Sequence, residues 1–525
     1  MFEKRIVNLI ITSTLVILLI LGFIFRIYGL KTNYSFWIDE FSTGQSAAAI
    51  AKSGSLQTTI GYFEPRNLLS YYLTSLSMRV LGINEFAARF PSVIWGTLMI
   101  LVGFLVFQRL FNRRIGLAVA ILTTFSMIEI TWSRQARSYA LFQLVYLMTV
   151  YFLWQLFEKI RKEKVTLRDF ILPIFFLIIS LLAHLLAVTI ILSGIIYAVF
   201  FTRQELIKFS KYLMSKQKII LGLILVAAIW LFWQSGLGII FREVFISHRF
   251  PLKISNNFWY YHSFLWRQYS LISFLAFLGI LLALSAKERK HFFLIIILVV
   301  HLVVAIFFLP WLDTRYLYAV FPIFFFFYSL YFLDRLSRWW WRESPRLQVI
   351  FFFFLAFFLV VNGHKFTLKP RLFSSPNADM REIPLVDYNI AYEIMKNKSA
   401  GAGQPLVVID TWGDRLAWYL GRDYPYAFWI RQSQRLGYRI EQGKPIENTL
   451  NLKTVTDKES LLQVIKAYPQ GFVFIDGHEV PFLPQDALSY IENNLKREKE
   501  FSRFSLDPDP YDTWPAWLYS WGFDS

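Results

Sequence analysis

The chain contains no cysteine. That absence excludes disulfides, thiolate zinc sites and a cysteine nucleophile, and it leaves the redox compartment open. Charge is also scarce: Asp, Glu, Lys and Arg supply 17% of 525 residues, against 56% hydrophobic and 19% aromatic. A soluble globular protein of this length carries more charge and disperses its apolar residues by amphipathic periodicity. Here the apolar residues gather in long blocks, so the class is polytopic membrane protein. No internal repeat is visible. Histidines lie singly, His184 and His301 within apolar blocks, where they read as core or cavity hydrogen-bonders rather than metal ligands. The GAG at 401–403 follows no strand and fits no phosphate-binding fingerprint, so it reads as a turn.

What is abundant is phenylalanine, 54 residues, with runs such as IFFFFYSL that suit lipid-facing helices. The net charge of +18 points to topology rather than to nucleic acid, because the basic residues cluster in short loops between apolar blocks. A crossing helix needs about 20 apolar residues. Crossings are expected near 7–29, 90–106, 117–132, 138–157, 170–184, 186–202, 218–235, 269–286, 292–309, 316–333 and 347–363, about eleven in all. With MFEKR inside, the inside loops become FQRLFNRR, EKIRKEKVTLRD, TRQELIKFSKYLMSKQK, AKERK and DRLSRWWWRESPR, each rich in Lys and Arg. An odd count then places the tail after about Gly363 outside, together with the loop SFWIDEFSTG. The first apolar run follows a basic segment like that of a signal peptide, but it is too long for one and lacks small-residue cleavage sites, so a retained first helix is expected.

Two domains follow: a membrane domain over 1–363, whose first outside loop (30–89) is structured, and a soluble α/β domain over 364–525. NLLSYYLTSLSMRVLG, in that first loop, is too short to cross and suits the membrane interface. A second long aromatic outside loop precedes the eighth crossing and reads as a lid. In the tail, QPLVVIDTW and GFVFID read as strands, DRLAWYLG as a helix capped by Asp414, PQDALSYIENNLKREKE as a second helix, and PAWLYSWGF as a closing strand.

Four groups of chemically capable residues fall on the expected outer side. Asp39 and Glu40 read equally as an N-cap with a helix-favouring partner or as a base with its neighbour. Glu64, Pro65 and Arg66 form a stiff turn, with Arg66 more simply a ligand for a lipid headgroup. Arg134 and Arg137, with Trp132 and Tyr139, fit an interfacial Arg and aromatic belt equally well. Glu129 lies within the third crossing, where an ionisable group is by default a functional candidate. Asp313 and Arg315 read as an intraloop ion pair or, for Arg315, as a phosphate ligand, since the guanidinium fork matches phosphate oxygens.

The order of these motifs carries more than any one of them. Aromatic-x-Asp-Glu after the first helix precedes a Pro-containing turn, FAARFPS, RLFNRRIG, the turn with Ser133, Ala136, Arg137 and Tyr139, and then RYLYAVFP. The series resembles the GT-C membrane glycosyltransferases, in the branch of protein O-mannosyltransferases and lipid A aminoarabinose transferases, most strongly over residues 26–157. The resemblance implies a polyprenyl-phosphate sugar donor and a hydroxyl acceptor (protein, lipid or glycan). It implies transfer with inversion on the extracytoplasmic side of a plasma or inner membrane. Asp39 then matches the acidic residue of the first loop and Glu40 its partner. Glu64 and Arg66 fall at an acidic and a phosphate-binding position. Arg134, Arg137 and Tyr139 fall in the second turn, and Arg315 and Tyr316 in the late motif.

Two departures stand out: Glu64-Pro65-Arg66 replaces His-Pro-Pro, and Gln135 stands where many relatives have an acid. No cofactor is expected; a divalent metal is left open, without support from ligand spacing. Two rivals remain. A transporter or flippase usually shows broken helices or paired repeats and midplane charge, whereas this chain concentrates charge at the expected outer boundary and shows no repeat. A catalytically inactive relative whose soluble tail binds cell-wall polymer is kept open by Gln135.

Overall fold

The computed structural model describes residues 2–31, 35–54, 67–212, 230, 254–309, 314–363, 365–370, 388–401, 403–421, 424–432, 438–447, 451–501 and 515–523. The chain divides into two units. One comprises Met1–Leu30, Pro65–Leu73 and Arg89–Met380, and the other Lys31–Glu64, Thr74–Ala88 and Arg381–Ser525. The first outside loop, grouped with the membrane domain on sequence, is therefore largely part of the second unit.

Helices in chain order are α1 (Phe2–Ile27), α2 (Ile38–Ser53), α3 (Leu68–Leu81), α4 (Glu85–Leu110), α5 (Arg113–Phe125), α6 (Met127–Trp132), α7 (Tyr139–Arg161), α8 (Ile171–Ala183), α9 (Val188–Phe201), α10 (Arg203–Tyr212), α11 (Phe258–Ser263), α12 (Ser270–Ser285), α13 (Arg289–Phe307), α14 (Phe321–Trp340) and α15 (Pro345–Asn362). Long apolar blocks become helices because, without water, each backbone N–H and C=O must be satisfied inside its own segment. Among the described residues five are long and apolar enough to cross: Leu9–Ile27 of α1, then α4, α7, α13 and α15. A sixth arises if Phe258–Gln268 and Ser270–Ser285, bent by 105°, form one broken span. The expected crossing at 218–235 lies outside the described residues except for Trp230. The mainly helical membrane class thus holds, while eleven spans remain an expectation.

The crossing expected at 117–132 is not one helix. It breaks at Ser126, whose ψ of 125° is extended, into α5 and α6. The backbone groups freed by the break are met by the segment after α15: Met127 N–H donates to the Lys365 carbonyl and Thr367 N–H to the Phe125 carbonyl, each at 2.9 Å. Non-helical backbone at this depth survives only where protein supplies such partners.

In the second unit, α16 (Tyr388–Ala400), α17 (Gly413–Tyr419), α18 (Lys458–Ala467) and α19 (Gln485–Asn494) surround an eight-stranded sheet. The strands are β1 (Val408–Asp410), β2 (Ala427–Ile430), β3 (Tyr438–Glu441), β4 (Lys444–Glu447), β5 (Lys453–Val455), β6 (Gly471–Asp476), β7 (Lys496–Phe501) and β8 (Ala516–Trp521). Their order is β3-β4-β5-β2-β1-β6-β8-β7, with β5, β2, β1 and β6 parallel. Alternation sorts the faces. Ile409, Ile430, Val473 and Ile475 pack with Leu461 of α18 and Ile491 of α19, whereas Phe474, on the opposite face, meets Tyr388 and Tyr392 of α16.

The expected strands at β1, β6 and β8 are present. Asp414 is not the cap of α17: Trp412 occupies that position, and Asp414 lies in the first turn. KREKE is not helical either, since α19 ends at Asn494 and Lys496–Phe501 pairs with β8.

Candidate functional site

The candidate residues divide between the two units. In the helical unit, α6, the turn 133–138 and α7 bring the second motif together with the late one. Glu129 is fully buried and accepts from Gln143 Nε2 at 2.8 Å and from the Tyr318 hydroxyl at 2.9 Å. Gln143 Nε2 also reaches the Tyr318 carbonyl at 3.1 Å. A carboxylate with both oxygens bonded and no exposure is a structural knot. It is committed to Gln143 and Tyr318 in this structure. Gln135 is also buried.

Arg26, near the end of α1, lies in the same layer and is completely buried. It donates to Ser133 Oγ (3.1 Å), the Gly22 carbonyl (3.0 Å) and the Thr123 carbonyl (3.1 Å). Arg134 does complementary work: one guanidinium nitrogen donates to the carbonyls of Phe25 (3.2 Å), Arg26 (3.1 Å) and Tyr28 (2.7 Å). It therefore caps the negative end of α1. Burial, followed by the like charge of Arg89, lowers the Arg134 guanidinium to about 10.

Arg137 is half-buried, with its guanidinium carbon 5.8 Å from the Tyr139 ring centroid. Tyr139 is buried edge-on against Trp132 at 4.8 Å, and Trp132 lies 5.9 Å from Tyr318. Arg315 and Tyr316 occupy the short turn Thr314–Leu317, half-buried, with the guanidinium 5.6 Å from the Tyr316 ring. The Tyr318 N–H donates to the Arg315 carbonyl at 3.1 Å, so the turn holding Arg315 is tied to the aromatic cluster beside Arg137. His301 fixes the turn from the other side: Nε2 meets the Tyr316 carbonyl at 2.7 Å, and Nδ1 lies 3.1 Å from Thr189 Oγ1. A relay of contacts thus runs from Arg137 through Tyr139, Trp132 and Tyr318 to the turn that carries Arg315 and Tyr316. Cations held in partly dry surroundings are suited to neutralising charge that develops on a phosphate.

In the second unit, Asp39 and Glu40 open α2. The N-cap is Trp37, Asp39 is the second helical residue, and Glu40 the third. Glu40 is buried and accepts the Trp37 backbone N–H at 3.3 Å, which is the return half of a capping box. Capping therefore falls to Glu40, not to Asp39 as the cap reading of the sequence had it. Asp39 is half-buried in the first turn, where the helix dipole favours an anion.

The position of α2 is set by aromatic packing within its own unit. Phe36 lies 4.9 Å from Trp418, and Phe41 lies 5.8 Å from Tyr419 and 6.2 Å from Tyr388. Gln45 also donates its side-chain amide to the Asp414 carbonyl.

Glu64, Arg66 and Asp313 lie outside the described residues. Among the described residues, no group of three or more His, Asp or Glu side chains is placed to hold a metal ion. Arg26, Gln143 and Tyr318 went unnamed on sequence. Arg26 showed as a lone Arg ending an apolar run, Gln143 as a lone Gln inside another, and Tyr318 as a member of RYLYAVFP.

Residues 65–233 match the family described as dolichyl-phosphate-mannose-protein mannosyltransferase. No curated protein matches the chain in sequence. Among solved structures, ArnT from Cupriavidus metallidurans in the apo state is 12% identical, over 97% of this chain and 98% of its own, with a TM-score of 0.59. The same protein bound to undecaprenyl phosphate gives 13% identity, 97% of both chains and a TM-score of 0.59. The Archaeoglobus fulgidus oligosaccharyltransferase, tethered to an acceptor peptide containing the NVT sequon, gives 10% identity, 89% of this chain, 69% of that one and a TM-score of 0.55. The GT-C fold read from the order of motifs is thereby borne out.

Proposed function

We propose that the protein is a multi-pass membrane glycosyltransferase. It moves a sugar from a polyprenyl-phosphate donor to an acceptor hydroxyl on the extracytoplasmic side, with the N-terminus cytoplasmic. The observation that carries this reading is the match of residues 65–233 to the mannosyltransferase family, because that span includes Arg134, Arg137 and Tyr139. The likeness in fold to ArnT bound to undecaprenyl phosphate supports a polyprenyl-phosphate ligand.

In this reading the acceptor oxygen attacks the anomeric carbon, the bond from that carbon to the phosphate oxygen breaks, and the configuration inverts. The acceptor proton passes to Asp39, and the polyprenyl phosphate leaves with the bonding pair. A phosphate is already a good leaving group, so it needs cations more than a proton donor. Arg137 and Arg315 serve that need, as does Arg66 in the family's pattern. An alcohol does need a base, and a positioned carboxylate supplies one. Glu40 holds the helix turn from which Asp39 projects.

The test is turnover of radiolabelled polyprenyl-phosphate sugars by the protein in nanodiscs, wild type beside Asp39→Asn and Arg137→Ala. Sugar release or transfer that both substitutions abolish supports the reading. Turnover untouched by either sinks the roles assigned here, and donor crossing the bilayer without bond cleavage would favour a flippase.

A further inference from the structure

The second unit contains a cleft of about 1240 Å³ whose lining includes none of the residues assigned a part in the transfer chemistry. Its volume exceeds the roughly 300–1,000 Å³ of an ordinary small-molecule pocket, which suits an extended ligand. One wall is the face of α2 carrying Gln45, Ala49 and Lys52, spaced as one stripe of a helix. The opposite wall is the end of α17 and the residues after it, with Trp418, Tyr419 and Tyr424.

What these groups offer a ligand follows from what they already bind. The Tyr419 hydroxyl donates to Glu85 Oε1 at 2.7 Å, and the Tyr424 hydroxyl to the Leu406 carbonyl at 2.5 Å. The Tyr419 hydroxyl is thus held by another residue of the cleft and its ring stacks on Tyr392 at 4.8 Å, whereas the Tyr424 hydroxyl is committed to the backbone, so ring surface for a ligand comes from half-buried Trp418 and Tyr424. Hydrogen-bonding capacity comes from exposed Asn389 and Lys52. Ring faces beside amide and ammonium donors recognise sugars: the C–H face of a pyranose lies on an aromatic ring while its hydroxyls take the polar groups.

A peptide fits less well. Strand addition needs an open sheet edge, but this cleft is walled by helices and loops, and the sheet ends at β3 and β7. Among the charged lining residues, Lys31 and Lys52 face the single carboxylate Glu85, which already receives Tyr419. That balance tolerates a carboxylate or phosphate substituent on the chain.

We infer that this cleft binds an extended saccharide, and that the saccharide is the acceptor. The second clause rests on the transferase reading; the first does not. Asp39 stands in the first turn of the same helix, six residues or about 9 Å of helical rise before Gln45. A chain held along α2 is therefore held on the element that carries the base.

The experiment measures binding of cellohexaose, chitohexaose and hexagalacturonic acid to the full-length protein in nanodiscs by calorimetry, with no donor present. At least one is expected to bind. Ala49→Trp, which fills the cleft, should weaken that binding by more than about tenfold, and Asn389→Ala should weaken it measurably, without a change in melting temperature. Binding by none of the three, or binding unchanged in Ala49→Trp, overturns the inference. A protein that binds saccharide but never turns over donor refutes the transferase reading alone. One that turns over donor while the cleft binds no saccharide refutes this inference alone.

Discussion

Glu40 Oε2 accepts the backbone N–H of Trp37 at 3.3 Å, so of the two adjacent carboxylates the buried one caps the helix and the half-buried one, Asp39, does not. The pair can therefore be separated by experiment. Glutamine at the third helical position preserves the capping contact, because its side-chain carbonyl still accepts that N–H. Glu40→Gln is expected to keep most donor turnover. On the proposed mechanism Asp39→Asn keeps shape but removes the proposed base and should slow transfer by about 10²–10⁴-fold. Equal losses in both would mean that Glu40 does more than cap.

A second prediction concerns the placement of that proposed base. A Cβ added at Gly44 would fall 2.6 Å from a Phe36 ring carbon and 3.2 Å from Trp418. Both rings pack α2 within its unit, and Phe36 is fully buried, so either the Phe36 ring or α2 has to shift. Misplacing a catalytic group by a fraction of an ångström to an ångström costs about 10- to 100-fold. Gly44→Ala should therefore lower kcat while leaving the KM for donor close to wild type. A KM effect alone would show that α2 does not position the reacting groups.

These residues also show how far the sequence could be read. The long apolar blocks carried the membrane class and the order of motifs the GT-C fold, because each signal is local: an apolar run, the loop after it, a tight turn, a late Arg-Tyr pair. What escaped was long-range. Arg26 looks like a basic flank of the first apolar run, yet its partners Ser133 and Thr123 lie 107 and 97 residues away. The break at Ser126 has no Pro or Gly to announce it, and it is stabilised by residues 365–367, far along the chain. KREKE reads as the end of a helix on propensity, whereas pairing with β8 draws Lys496–Phe501 into the sheet. In each case tertiary partners override the local pattern.

The Arg26 layer yields a third prediction. A Cβ at Gly96 would overlap the Ser133 side chain and come within 2.9 Å of Arg26 Nε. Ser133 accepts from Arg26 at 3.1 Å and itself donates to the Glu129 carbonyl, so there is no slack to absorb a methyl group. Gly96→Ala should destabilise the helical unit by about 1–3 kcal/mol, seen as a lower melting temperature in detergent. An unchanged melting temperature would show that α4 can withdraw without cost.

The last prediction lies in the second unit and depends on pH. Arg415 is buried between Asp410 (Nε to Oδ2, 3.0 Å) and Asp476 (Nη1 to Oδ2, 3.0 Å), with Tyr392 donating to Asp410 at 2.5 Å and Tyr388 to Asp476 at 2.7 Å. Burial alone would lower the guanidinium pKa, but Asp410 and the neighbouring groups outweigh it and hold Arg415 well above its ordinary value. It stays charged throughout the accessible range. Removing it in Arg415→Leu strands two buried carboxylates and should cost about 3–5 kcal/mol.

The tyrosines set the pH dependence. Burial first, then the facing carboxylates Asp476 and Asp410, raise the Tyr388 and Tyr392 hydroxyls well above 10. A group whose folded value is raised contributes stability that is full below its unfolded value and is lost as pH rises through the folded one. The unit should therefore be unaffected by these two residues up to about pH 10 and lose stability above it. Tyrosinate absorbance that rises together with loss of structure in wild type, and a weaker alkaline transition in Tyr388→Phe, would bear this out. Titration of both tyrosines near pH 10 with the fold intact would contradict it.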